Sequence, residues 1–243
     1  MFLDNVRALK ITRNCGEYIE DPVAVEGRVS IYVNNELVAV QVASLLNLRE
    51  LGAGYVISEG IADEIISADT EENNVYVSVK NPSFTDKEIC SAGGTGFVRT
   101  PKKISSEIRI NSEDVASATG EIISDVWKET GGVHCSVLFR KGNVLCRMSD
   151  VGRHNTLDKI IGYAVLNGIN CGECYVGCTG RQPSGMVKKC ANAQIPLIIS
   201  KAASTLGGIQ TAEESGITLI CFARGDRYTV YSHPERISGI IKK

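Results

Sequence analysis

The chain has 243 residues, 43% of them apolar and 22% charged, with a formal net charge of −2. That is enough for one large domain or two small ones with proper cores, and the charge balance excludes a nucleic-acid binder that works by bulk electrostatics. No apolar run is long enough to span a bilayer and the opening MFLDNVRALK lacks the order of an export signal, so a cytoplasmic protein with no membrane contact is expected, its nine cysteines mostly reduced thiols.

RVSIYV at 28–33, a turn at Asn34–Asn35 and LVAVQV at 37–42 predict a hairpin with β-branched alternation. A helix follows, with Asn47 as N-cap, Glu50 completing a capping box and Gly60 at C′. VYVSV at 75–79 reads as a strand. Residues 80–104 have no clean period and carry Pro82, Gly93, Gly94, Gly96 and Pro101, the composition of a long loop, and such loops are functional or mobile. Within it, Cys90 opens the run CSAGGTG, with Lys87, Arg99, Lys102 and Lys103 nearby. Cations beside a thiol favour the reactive thiolate, and flanking glycines let the sulfur swing.

The second half alternates. Helical spacing runs through 112–129, followed by a hairpin of HCSVLFR, a Lys141–Gly142–Asn143 turn and VLCRM. Thr156–Asn167 reads as a helix closed by Gly168, CYVGCT (174–179) as a strand, and Ser184 as the cap of a helix to about Ala193. PLIIS (196–200) is a strand, a helix runs to Gly216, and TLICFA (218–223) is a strand. The alternation predicts a three-layer α/β sandwich with a largely buried sheet over 111–243, after a smaller β-rich N-terminal subdomain over 1–110.

Polar clusters fall where strands end, the place at which open α/β sheets hold ligands. They are TGGVH (130–134), SDVGRHN (149–155), TGRQPSGM (179–186), SKAAST (200–205) and FARGDR (222–227). The repeated order is strand, small residue, basic residue, helix start; helix N-termini attract anions and arginine offers phosphate a planar fork. Gly132, His134, Gly152, Arg153, His154 and Arg181 are the candidates from the first three clusters. Taken singly, each is a turn with a solvated arginine or a structural histidine; converging, they suit a large, multiply phosphorylated ligand. Cys171, Cys174 and Cys178 form a C-x2-C-x3-C run that reads either as a metal site or as core thiols. Zinc-dependent deamination is excluded: His134 is followed by Cys135 and Ser136 rather than H-x-E, and no P-C-x-x-C exists.

GYVISEGI, TGGVH, DVGRHN, LDKIIG, SKAASTL and AEESGITLICFARGDRYTVYSHPERI follow one another as in FdhD/NarQ, the formate dehydrogenase accessory sulfurtransferase family. The chain resembles that family from about Asp21 to Ile237. The resemblance implies a cytidine-deaminase-like α/β core with an added N-terminal region, and a homodimer. It implies a sulfurtransferase that takes sulfur from a cysteine desulfurase as a cysteine persulfide. The recipient is the molybdenum of bis-molybdopterin guanine dinucleotide, the cofactor that formate dehydrogenase needs in sulfurated form; GDP or a related guanine nucleotide is the expected mimic. Cys90 falls on the first cysteine of the family's C-x-x-C loop. Phe222, Ala223, Arg224, Gly225, Asp226 and Arg227 fall on a segment associated with cofactor binding, where Phe222 suits a flat ring and Arg224 and Arg227 suit phosphates. Three positions depart from the family: Gly93 for the second loop cysteine, Ser149 for an acidic residue before DVGRHN, and Gly185 for a glutamate before Met186. The first touches the chemistry directly. One thiol suffices for a relay, so sulfur transfer through Cys90 is expected, the alternative being a cofactor-binding chaperone or regulator without transfer.

Overall fold

The computed structural model describes residues 2–84 and 103–240 and, as backbone, the strands at 87–89 and 95–97. The chain begins with an element that its sequence hides. β1 (Leu3–Thr12) and β2 (Cys15–Ala24) pair only with each other, a ten-residue-long arm whose Leu9, Ile11 and Tyr18 stay exposed. Its charges and Pro22 blur the period-two signal that a half-buried strand would give.

β3 (Gly27–Val33) and β4 (Glu36–Ala43) form the predicted hairpin. Asn34 and Asn35 both take positive φ, 48° and 68°. That pair fits the right-handed twist of the strands, and asparagine tolerates it. With β5 (Ser67–Glu71) and β6 (Asn74–Ser78) they make a sheet of order β4-β3-β6-β5. α1 (Leu48–Ser58) packs Leu51 and Tyr55 on its inner face, against Val29, Ile31, Val75 and Val77. Gly60 follows the C-cap with φ 70°, as predicted. The capping box does not form: Asn47 occupies the cap position in the left-handed region with no side-chain bond. The expected loop over 80–104 contains a short antiparallel pair, β7 (Lys87–Ile89) with β8 (Thr95–Phe97).

After β9 (Ile110–Asn111), the single helix predicted over 112–129 is two, α2 (Ser112–Glu121) and α3 (Asp125–Thr130). Ser124 accepts from the Trp127 N–H at 3.2 Å and so caps a fresh helix inside the apolar run. β10 (His134–Arg140) and β11 (Asn143–Asp150) turn through Lys141 and Gly142 alone, both with positive φ. α4 (Arg153–Leu166) starts three residues before the predicted Thr156 and ends at Asn167–Gly168. Then come β12 (Tyr175–Cys178), α5 (Ser184–Asn192), β13 (Leu197–Ser200), α6 (Leu206–Ser215), β14 (Thr218–Arg224), β15 (Arg227–Ser232) and β16 (Ile237–Ser238). Ser184 is the first residue of α5 rather than its cap, a place taken by Pro183.

The main sheet has the order β11-β10-β12-β13-β14-β15, with β12, β13 and β14 parallel and the flanking strands antiparallel. Both of its faces are covered. Leu138, Val176, Ile198 and Leu219 face Leu157, Ile161, Val187 and Ala212 of α4, α5 and α6. Val137, Phe139, Ile199 and Ile220 face Val115, Ala118 and Ile122 in and after α2. Across its outer side α4 receives α1, and there the helices touch backbone to backbone. A Cβ on Gly54 would run into the Asp158 carbonyl, and one on Gly162 into the Glu50 carbonyl.

Candidate functional site: a basic strand-end edge

Strand direction decides where the predicted residues meet. The carboxyl ends of β12, β13 and β14 share one edge of the main sheet; β10, antiparallel to β12, starts there with His134, and β11 ends there with Asp150. All five strand-end motifs therefore lie along one edge. Their loops are stitched together: Ser200 Oγ donates to the Gly180 carbonyl (2.8 Å), Ser204 Oγ to the Gln182 carbonyl (2.7 Å) and the Phe222 N–H to the Ala202 carbonyl (3.1 Å).

Two pairs of like charge stand on this edge. Arg153 packs its aliphatic carbons over Gly180, where a Cβ would come within 2.9 Å of them. Burial, then the Arg181 charge, lowers the Arg153 pKa. Burial, then Arg224, likewise lowers that of Lys201. Arg181, Lys201 and Arg224 form no ion pair among the described residues. α4 and α5 begin here on Gly152 and Pro183, with no side-chain cap on either. Arg181, Lys201 and Arg224, without ion-pair partners among the described residues and beside two helix starts without side-chain caps, make an edge that attracts anions.

Phe222 is the strained residue of the edge, at φ 54° beside a register shift in the β14–β15 pairing, and it is 47% exposed. The left-handed region is costly for a bulky residue and is met at sites where the surroundings impose it. Arg224 is partly committed: one guanidinium nitrogen donates to the Lys201 carbonyl at 2.6 Å and the Ala223 carbonyl at 2.8 Å. Gly225, Asp226 and Arg227 are exposed at the turn, whereas the Ala223 side chain is buried in the core. Gly132 is exposed just before β10. Sequence reasoning named SKAAST but not Lys201, whose ammonium donates to the Thr119 carbonyl (3.1 Å), or Thr119, whose hydroxyl receives the Gly225 N–H (3.1 Å).

His134 and His154 are both held neutral. The His134 ring pairs with Thr179 Oγ1 at 3.2 Å, and burial, then Arg153, lowers its pKa against a weaker pull from Asp150. Burial, then the charges of Lys189, Arg153 and His134, takes His154 down to about 3. An unfolded histidine titrates near 6.5. The fold thus binds His154 in its neutral form: its contribution is complete above pH ~6.5 and lost as pH falls toward 3. Urea titrations of the wild type and His154→Gln should differ accordingly. The wild type should lose about 2 kcal/mol more than the variant between pH 7 and pH 5; parallel losses would refute the buried neutral imidazole.

Cys90 lies outside the described residues. Cys171, Cys174 and Cys178 are buried in the core, where burial pushes their thiols up to about 12, 11 and 12. Such thiols are protonated and unreactive at neutral pH. Among the described residues no three His, Cys, Asp or Glu side chains converge as metal ligands, and no helix is long and apolar enough to cross a membrane.

Fold and site together define the class: a mixed α/β protein with a basic strand-end edge. Residues 24–238 match the FdhD/NarQ family model, and the chain belongs to that family. It is 36% identical over 216 residues to protein FdhD of Methanocaldococcus jannaschii, covering 88% of this chain and 89% of the relative. It is 30% identical over 230 residues to the sulfur carrier protein FdhD of Methanothermobacter thermautotrophicus (90% and 92% covered). With the sulfur carrier protein FdhD of Bacillus subtilis it shares 32% over 239 residues (90% and 91%). Among solved structures it superimposes on a protein assigned as a formate dehydrogenase accessory protein from Desulfotalea psychrophila. That match has a TM-score of 0.82 and 26% identity, over 98% of this chain and all of the other.

Proposed function

We propose that this protein is a sulfur carrier for the maturation of formate dehydrogenase. A Cys90 thiolate attacks the outer sulfur of a persulfide on a cysteine desulfurase; the donor's S–S bond breaks and the donor leaves as a thiolate. The sulfur then passes to the molybdenum of bis-molybdopterin guanine dinucleotide, the client's cofactor and this protein's cargo. The observation that carries the reading is the gathering of Arg153, Arg181, Lys201 and Arg224 on one edge beside the exposed ring of Phe222. Cations suit the dinucleotide's phosphates and an exposed ring suits a flat base. The relatives' names, sulfur carrier and formate dehydrogenase accessory protein, support the same role. We read residues 111–243 as the cytidine-deaminase-like core and 1–110 as the added region, in a cytoplasmic homodimer.

Gly93, standing where the family has its second loop cysteine, favours a second reading: a cofactor-binding chaperone or regulator that transfers no sulfur. One comparison separates the two. Cys90→Ala should abolish activation of formate dehydrogenase and leave GDP binding in calorimetry unchanged, whereas a variant that still activates the enzyme leaves the chaperone standing. Arg181→Ala should weaken GDP binding about tenfold, the worth of one charge-assisted hydrogen bond; unchanged affinity would remove the basic edge from the account.

A further inference from the structure

Between Arg153–His154 and the rest of the molecule sits a carboxylate that the sulfur chemistry does not use. Asp150 Oδ1 accepts from the Gly152 N–H (2.8 Å) and from Asn155 Nδ2 (2.9 Å). Its Oδ2 accepts from the Ser44 N–H (3.1 Å) and from the Lys159 ammonium (2.6 Å). Asn155 Nδ2 also donates to the Val42 carbonyl (2.8 Å), Lys159 to the Ser44 carbonyl (3.0 Å), and the Val151 N–H to Ser44 Oγ (3.2 Å). Asp150, Lys159 and Ser44 are fully buried and Asn155 nearly so.

Both carboxylate oxygens are thus bonded twice, and the partners fall into two groups. Gly152 and Asn155 bracket Arg153 and His154, the residues that the turn carries to the edge. Val42, near the end of β4, and Ser44, the first residue after it, belong to the other layer of the molecule. A buried ion pair is no gain in stability over an apolar pair of the same shape. What this one adds is a fixed geometry between two segments more than a hundred residues apart in sequence.

We infer that Asp150, with Lys159 as its counter-ion, is the positioning residue of the basic edge. It sets where Arg153 and His154 stand by tying their turn to the β4–α1 connection. The inference rests on reading that edge as the ligand site. It also makes the N-terminal layer part of the site without touching the ligand.

The double variant Asp150→Asn/Lys159→Met tests it. The shape is kept, no buried charge is left alone, and the bonds from Asp150 Oδ2 to Ser44 and Lys159 are lost. The chain has three histidines, so each ring proton resonance is assignable by His→Gln substitution. In the folded variant the His154 resonance should move while that of His233 stays, and GDP affinity should fall tenfold or more. A merely structural pair would lower the melting temperature and leave both readouts alone, and a folded variant with an unmoved His154 resonance overturns the inference. Should the double variant not fold, Asn155→Ala removes the bridge to Val42 with the ion pair intact, and the same shift is expected. If the wild type binds no GDP, the reading of the edge as a nucleotide site falls, and the His154 resonance still decides the positioning.

Discussion

Gly54→Ala is expected to abolish the folded state or leave it marginal, a loss of more than about 3 kcal/mol, the upper end of what overpacking usually costs. The reason lies in what the new methyl group meets. It would fall on the Asp158 carbonyl, with the Gly162 amide nitrogen only 2.7 Å away. Both are backbone of α4, so no rotamer change relieves the clash and the helices must separate. Separation disturbs the packing of both helices, whose Leu51, Tyr55, Leu157 and Ile161 are all buried. Gly120→Ala is the control: nothing lies within 4 Å of its added Cβ, and in the exposed last turn of α2 it should stabilise by up to about 1 kcal/mol. Urea melts followed by circular dichroism read both, and a Gly54→Ala midpoint equal to wild type would sink the backbone-contact account.

The second large effect is expected at Lys189. Its buried ammonium bonds Asp158 Oδ1 (2.8 Å) and Oδ2 (3.1 Å), Glu59 (2.5 Å) and Ser58 Oγ (3.0 Å). Burial works to lower its pKa, but Asp158 and Glu59 outweigh burial and raise it, so the ammonium stays charged. Lys189→Met leaves Asp158 and Glu59 facing each other without a cation, which costs about 3–5 kcal/mol. Burial already raises Asp158, against the pull of Lys189, and removing the cation raises it further. A carboxyl whose folded pKa lies above its unfolded value contributes most at low pH and loses that contribution as pH rises. The deficit of the variant relative to wild type should therefore be smaller at pH 5 than at pH 8. Adding Asp158→Asn should recover part of it. A deficit independent of pH would mean that packing, not charge, explains the loss.

These two sites also mark what the residues alone could tell. Turns governed by one or two backbone angles were legible: Asn34–Asn35, Gly60, Gly168 and Gly216 stop or turn the chain where local chemistry says they should. The convergence of the strand-end motifs was legible too, because strand–helix alternation fixes which ends share an edge. Lys159 and Lys189 were not: on sequence they are ordinary helical lysines, and only tertiary packing buries them. Nor was the committed nitrogen of Arg224, the positive φ of Phe222 or the break at Ser124, each decided by contacts or competing caps. Charged residues inside the apolar stretch TLDKIIGYAVL were the one available hint of the buried ion clusters.

The contact between Gly54 and Gly162 sets a length as well as a stability. With no side-chain thickness between α1 and α4, the two layers meet backbone to backbone, and the chain on either side of the segment bearing Cys90 is bonded to this frame. Its near mooring is the Ser83 N–H on the Ile61 carbonyl (2.8 Å), and its far one the Ile104 N–H on the Ser215 carbonyl (2.9 Å). Cys90 is seven residues past the first, a covalent reach of at most about 25 Å. On the proposed function, a sulfur carried on Cys90 would be collected and delivered within about 25 Å of Ser83, the span that seven residues allow.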